Sequence, residues 1–228
     1  MRHALRRCLP LACVLLSLLL PRLSGADDAP RLVVLGDSIS AAYGLTLADG
    51  WVALLAKRLE RTGYVYRVVN ASVSGETTAG ALARLPHVLE THRPSLVLIE
   101  LGGNDGLRGL PVDSARTNLD RIVAAVQAGG AAPVVIGMRM PPNYGAAYAD
   151  AFASMYGDVA RARRAALVPF LLASIAGSDS NFQADRIHPT AAAQPALLDT
   201  VWPVLEPLLR RPAAPASAPA ATPRPKAQ

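Results

Sequence analysis

Leu32-Val33-Val34-Leu35-Gly36-Asp37-Ser38-Ile39-Ser40 is the stretch from which the fold can be read. Four consecutive apolar residues without polar alternation suit a strand buried on both faces, as in a parallel sheet. The glycine and polar residues directly after it mark a turn at the strand's carboxyl end. Similar runs recur along the chain. Residues 66–69 form a second, residues 96–101 a third broken only by Glu100, and residues 133–137 a fourth. Residues 166–169 form a weaker fifth. Helical patterns separate them. Val52, Leu55, Ala56 and Leu59 recur at i, i+3, i+4 and i+7, as do Leu119, Ile122, Val123 and Val126, the latter stopped by Gly129-Gly130. Residues 78–89 and 148–165 are further helical stretches. A last one is expected from Pro189, a favourable first helical residue, towards Leu209. Pro203 and Pro207 should kink or end it, since each removes a backbone donor. Strand–helix alternation implies right-handed crossovers and an open sheet covered on both faces. The expected fold is therefore α/β: a three-layer α/β/α sandwich of the flavodoxin-like class with about five parallel strands.

The flanks differ from this body. The 228 residues are 51% hydrophobic with a formal charge of +6, enough apolar content for one well-filled domain. The charge sits at the ends. Residues 1–26 carry Arg2, Arg6, Arg7 and Arg22 with no acid, and residues 210–228 carry Arg210, Arg211, Arg224 and Lys226 with none. The body, 27–209, holds 15 basic and 17 acidic residues. A nucleic-acid enzyme needs a basic groove on its body, so nucleic acid is set aside as a partner. Residues 1–26 read as a secretory signal: a positive start, an apolar run over 9–20, and Ser24-Gly25-Ala26 for cleavage before Asp27. That run is short for a bilayer span, which needs about 20 apolar residues, so no stable membrane insertion is expected after cleavage. Cys8 and Cys13 both lie in this segment. The processed chain would have no disulfide, thiolate nucleophile or zinc–cysteine site. Residues 212–228 contain five prolines and seven alanines without an aliphatic or aromatic anchor, which reads as a disordered tail.

In open α/β sheets, ligands bind outside the carboxyl ends of the strands. After the first strand stand Asp37, Ser38 and Ser40. After the second stands Asn70-Ala71-Ser72-Val73-Ser74-Gly75, and after the third Gly102-Gly103-Asn104-Asp105-Gly106. Beyond the fifth stands Asp185-Arg186-Ile187-His188-Pro189. A hydroxyl, glycines, an amide and an Asp/His pair thus converge on one rim, which suits acyl transfer. A serine hydroxyl is a weak nucleophile and needs a neighbouring base. His188 can be that base, since imidazole changes charge near neutral pH. Asp185, three residues earlier, can hold the imidazole's other nitrogen. The Ser38 and Gly75 N–H groups and the Asn104 side-chain amide are candidate oxyanion donors. Each piece alone has a plainer reading: Ser38 as a helix cap, Gly75 and Asn104 as turn residues, His188 as a surface residue. Their joint occurrence on four rim loops favours catalysis. Metal and phosphate sites fit less well. His87 and His92 do not share a helix face, and no P-loop or GxGxxG is present.

Gly36-Asp37-Ser38, Gly75, Gly102-x-Asn104-Asp105 and Asp185-x-x-His188 resemble the four blocks of the SGNH (GDSL-type) hydrolases. The similarity spans about residues 31–202 and is strongest to the bacterial periplasmic branch described as acyl-CoA thioesterase I, arylesterase and lysophospholipase. The resemblance implies Ser38 as nucleophile, His188 as base, Asp185 as orienting acid, and an oxyanion hole from Ser38, Gly75 and Asn104. It implies substrate contacts from Asp37, from Asp105, Gly106, Leu107 and Arg108 in a mobile loop, and from Pro142, Asn143 and Tyr144 in an acyl-pocket wall. It further implies no metal or organic cofactor, a small acyl or aryl ester, thioester or lysolipid substrate, and a periplasmic or secreted protein. Two other readings stand beside this one. A deacetylase of acetylated cell-wall sugars would keep the chemistry but need a short, polar pocket. A non-catalytic acyl-chain binding protein would need the scaffold without the full residue set.

Overall fold

The computed structural model describes residues 29–210. Five strands form one parallel sheet: β1 (Arg31–Gly36), β2 (Arg67–Asn70), β3 (Leu96–Glu100), β4 (Ala132–Ile136) and β5 (Ala166–Val168), in the order β2-β1-β3-β4-β5. Every pairing is parallel, with Val34 opposite Asn70 on one side and Leu98 on the other. Leu32 to Leu35, Val97 to Ile99 and Val134 to Ile136 are fully buried. The continuous apolar runs therefore mark strands covered on both faces.

The helices are α1 (Trp51–Arg61), α2 (Thr78–His92), the short α3 (Gly103–Leu107), α4 (Val112–Ala128), α5 (Ala146–Arg163) and α6 (Gln194–Leu205). The chain steps from β1 outward to β2, then crosses back to β3, β4 and β5. With right-handed crossovers that reversal puts α1 on one face and α2, α4 and α5 on the other. Packing agrees: α2 touches α4 and α4 touches α5, while α6 returns from β5 to pack on α1. Among the described residues no helix is long and apolar enough to cross a membrane.

Helix ends follow local chemistry. α4 stops at Gly129-Gly130, Gly130 having a φ of +80°. α2 runs past residue 89 to His92 and is closed by Arg93 in the left-handed region, whose N–H bonds to Leu89 O. The expected start of the last helix at Pro189 is corrected. Pro189 is extended, bridging antiparallel to Phe182, and the Thr190 N–H bonds to Asn181 O. Those residues close a loop, so α6 begins at Gln194 and Pro195 takes the first-turn role. Pro203 lies inside α6 without ending it; the helix runs on to Leu205 and tightens into a 3-10 turn over Glu206–Leu208 that contains Pro207. The expected signal, residues 1–26, lies outside the described residues, as do Asp27 and Asp28 and all of the expected tail after Arg210.

Candidate active site

The reversal of strand order leaves a crevice between the carboxyl ends of β1 and β3. β1 delivers Ser38 there. The turn after it is tightly tied: the Ala41 N–H bonds to Asp37 O at 2.9 Å and the Tyr43 N–H to Ser38 O at 3.0 Å. Asp37 is buried and spends its carboxylate inside the turn. One oxygen accepts the Ile39 N–H at 3.0 Å and the other accepts the Asn104 side-chain amide at 3.1 Å. The first link fixes the backbone around Ser38, and the second ties that turn to the start of α3.

Behind it lies a residue whose role the sequence did not reveal. Glu100, the last residue of β3, is fully buried. Its Oε2 accepts the Ser40 hydroxyl at 2.7 Å and the Asp37 N–H at 3.3 Å, while Oε1 is buried without a partner among the described residues. The Ser40 oxygen in turn accepts the indole N–H of the buried Trp51 at 3.2 Å. Burial pushes the Glu100 carboxyl well above its ordinary range, and the neighbouring Asp37 charge adds to this. Burial also lifts Asp37 from 3.8 to about 6, against the stabilising Ile39 N–H. The only sequence signal for Glu100 was a lone acid interrupting an apolar run.

Ser38 meets the far loop directly. Its Oγ is 2.8 Å from His188 Nε2, and His188 Nδ1 is 2.7 Å from Asp185 Oδ2. The remaining Asp185 oxygen accepts the backbone N–H groups of Ile187 at 2.9 Å and His188 at 3.0 Å. These bonds favour the ionised carboxylate, led by the His188 backbone N–H and then the imidazole, and draw Asp185 down to about 2. With Asp185 ionised, the Nδ1 hydrogen faces the carboxylate and the Nε2 lone pair faces the Ser38 hydroxyl. Two residues absent from the sequence reading steady this loop. Tyr43 lays its ring against His188 with centroids 4.4 Å apart. Gln183 donates from its side chain to Tyr43 O at 2.8 Å and Pro189 O at 3.1 Å, and from its backbone to His188 O at 2.8 Å.

The candidate oxyanion donors flank the same opening. Gly75 has a φ of +78°, a conformation that glycine adopts without steric cost. Neither its N–H nor that of Ser38 is engaged among the described residues. Arg108 donates to Gly75 O at 2.9 Å. Ser38, Gly75, Asn104 and His188 all line one cleft of about 760 Å³. Its walls are mainly apolar: Ile39, Leu107, Met138, Met140, Phe170 and Leu172 among them.

Of the residues expected to touch substrate, Asp37 and Leu107 line this cleft, while Asp105, Gly106, Arg108 and Tyr144 make contacts around it. Asp105 is buried and uses both oxygens on Thr78, at 2.9 Å to the N–H and 2.6 Å to the hydroxyl. Gly106 is buried against Met140 and Phe152. Arg108 is engaged with Gly75, and the Tyr144 hydroxyl donates to Leu107 O at 3.1 Å. Asn143 is exposed outside the lining, and the Pro142 side chain lies outside the described residues. The wall is formed instead by the segment just before, through Pro141.

A parallel α/β sheet with a hydroxyl, an imidazole and a carboxylate in series at its switch point defines an acyl-hydrolase class of fold and site. The model of the GDSL-like lipase/acylhydrolase family matches residues 34–195, and the chain belongs to that family. It is 55% identical to esterase TesA of Pseudomonas aeruginosa, over 79% of this chain and 90% of that one. It is 40% identical to thioesterase 1/protease 1/lysophospholipase L1 of Escherichia coli, over 81% and 87%. A solved structure of esterase EstA from Pseudoalteromonas, inhibited by monoethylphosphonate, shares 40% identity with a TM-score of 0.75, covering 78% of this chain and 97% of that one.

Proposed function

We propose that the chain hydrolyses carboxylic esters and thioesters of acyl or aryl groups through an acyl-enzyme on Ser38. The observation that carries this reading is the unbroken Ser38–His188–Asp185 series, at 2.8 Å and 2.7 Å, opening onto an apolar cleft. His188 takes the Ser38 proton as the hydroxyl oxygen attacks the carbonyl, then hands it to the departing alcohol or thiol. Water repeats the sequence to release the acid. Asp185 stays ionised and stabilises the imidazolium. The Ser38 and Gly75 N–H groups and the second hydrogen of the Asn104 amide stabilise the oxyanion, each donor worth about 3–4 kcal/mol of barrier.

The cleft lining favours an acyl or aryl group over the short polar pocket of a sugar deacetylase. The relatives' names, esterase, thioesterase and lysophospholipase, support the same substrate range. In this reading residues 1–26 direct export, 27–209 act outside the cytoplasm, in the periplasm by the resemblance, and the Pro/Ala tail takes no part in the chemistry. The test is steady-state hydrolysis of p-nitrophenyl esters from acetate to palmitate by residues 27–228, beside Ser38→Ala. A maximum at medium or long chains that vanishes in the variant supports the proposal. A maximum at acetate supports the deacetylase instead, and no activity above the variant leaves the binding protein.

A further inference from the structure

Tyr144, Tyr148, Phe152 and Tyr156 recur every four residues, which puts the last three on one face of α5. Their rings form a ladder, with successive centroids 6.3, 6.3 and 5.6 Å apart. All three hydroxyls donate to the backbone of one stretch, the one that leaves β3 and passes through α3. Tyr156 donates to Leu101 O at 3.0 Å, Tyr144 to Leu107 O at 3.1 Å and Tyr148 to Leu110 O at 2.9 Å. Phe152 has no hydroxyl and lies instead against Gly106, where an added Cβ would come within 2.8 Å of its ring.

The two ends of this grip differ. Tyr156 and Phe152 are buried, so Leu101 to Gly106 is held in the core. Leu107 and Leu110 are 37% and 38% exposed, and Gly109, at a φ of +63°, has open space around it. Among the described residues, 107–110 is tied to other elements by three side-chain hydrogen bonds: the two from Tyr144 and Tyr148, and one from Arg108 to Gly75 O at 2.9 Å. Leu107 lines the cleft that contains Ser38, whereas neither tyrosine does. The two hydroxyls therefore reach the cleft only through the loop.

An apolar wall helps to hold an acyl chain only while it stays within contact distance. One net hydrogen bond shifts a local open–closed equilibrium by roughly two- to tenfold. We propose that Tyr144 and Tyr148 are positioning residues whose hydroxyls hold the Leu107–Leu110 loop against the cleft, so that Leu107 serves as a wall for acyl chains long enough to reach it. The effect on turnover rests on the hydrolase reading above, while the hold on the loop can be measured without turnover.

The experiment compares kcat/KM for p-nitrophenyl octanoate with that for p-nitrophenyl acetate in the wild type, Tyr144→Phe, Tyr148→Phe and the double variant. Phenylalanine keeps the ring ladder and removes only the donor. The octanoate-to-acetate ratio should fall roughly two- to fivefold in each single variant and further in the double one, through KM for octanoate rather than its kcat. In a Leu107→Ala background the same substitutions should change the ratio little, because the wall on which they act is already gone. Hydrogen exchange gives the readout without turnover. The Arg108, Gly109 and Leu110 N–H groups bond to Asn104, Gly106 and Asp105 O within their own stretch. They should exchange roughly three- to tenfold faster in the double variant, with the amides of β1, β3 and β4 unchanged. Tyr66→Phe, just before β2, alters a hydroxyl that accepts the Arg210 N–H and should leave both ratio and loop exchange where they were. An unchanged ratio in the double variant, a loss of equal size in the Leu107→Ala background, or faster exchange spread over the sheet would each overturn the proposal while leaving the hydrolase reading intact. If the wild type hydrolyses neither ester, the hydrolase reading falls, and calorimetric binding of octanoic acid decides the wall by itself. Binding several-fold weaker in the double variant would support it; equal binding, or none to either protein, would overturn it.

Discussion

The two loops that bring Ser38 and His188 together are held in opposite ways. The Ser38 turn is set in the core. Asp37, Ser40, Glu100 and Trp51 form a buried hydrogen-bonded group behind it, with the indole N–H 3.2 Å from Ser40 Oγ. The His188 loop lies at the surface and organises itself. A single exposed carboxylate, Asp185, caps two of its own backbone N–H groups and the imidazole, and Gln183 and Tyr43 brace it from outside. Ser38, the proposed nucleophile, is thus positioned by the fold, while His188, the proposed base, is positioned by a local loop docked against it. Damage to the first region should appear in stability, and damage to the second in rate.

The largest expected effect is common to both regions. Ser38→Ala and His188→Ala should each lower kcat by roughly 10⁴-fold or more, with little further loss in the double variant, because the groups act as one unit. Near-additive losses on ester hydrolysis would break the pairing. Asp185→Asn should cost roughly 10³–10⁴-fold through a misoriented imidazole while the protein stays folded.

The contrast itself is sharpest in paired substitutions. Trp51→Ala removes a fully buried aromatic side chain and an N–H from the Ser40 link, and should lower unfolding free energy by about 3–5 kcal/mol in urea titrations. Ser40→Ala leaves Glu100 Oε2 without its hydroxyl donor and should cost about 1–3 kcal/mol. Gln183→Ala and Tyr43→Ala should change stability by less than about 1 kcal/mol, yet lower kcat roughly ten- to hundredfold by loosening the His188 loop. Equal stability losses in the two sets would erase the distinction.

The smallest effect is one of sign. Burial raises Asp37 from 3.8 to about 6, so the folded protein retains a proton that the unfolded chain releases. Its contribution to stability is full below about pH 3.8 and is lost as pH rises through about 6. Asp185 behaves oppositely. Lowered from 3.8 to about 2, it adds stability above about pH 3.8 that disappears as pH falls through about 2. Urea midpoints across pH should therefore separate the two regions. Relative to Asp37→Asn, the wild type loses midpoint as pH rises from about 4 to 7. Relative to Asp185→Asn, it loses midpoint on acidification below about pH 4. The same slope for both variants would contradict the assignment of one carboxylate to the core and the other to the surface.

What was legible in the sequence follows the same division. Leu32 to Leu35 and Leu96 to Ile99 could be read as doubly covered strands because burial on both faces removes polar alternation. The carboxyl ends of the expected strands then led to the rim loops, and Ser38, Asn104 and His188 could be picked out there because their chemistry is carried by residue type. Contacts between distant side chains were not readable. Nothing local to Glu100 says that it receives Ser40, and nothing local to Gln183 says that it reaches Tyr43, 140 residues away. Pro189 was misread for a related reason: its preference for a helix start yields to a bridge with Phe182 that closes the His188 loop. Asp105 and Gly106 carry the same lesson, for their motif position marks the site but their side-chain space is spent on Thr78, Met140 and Phe152.

The central claim is that the Ser38 hydroxyl is activated by His188 and becomes the covalent carrier. Intact-mass analysis after reaction with an alkyl fluorophosphonate tests it directly, with peptide mapping of the adduct and with Ser38→Ala and His188→Ala alongside. The account predicts one adduct per chain on Ser38, absent from Ser38→Ala and formed far more slowly in His188→Ala. An adduct of equal rate in Ser38→Ala, or one mapped to another residue, would contradict it.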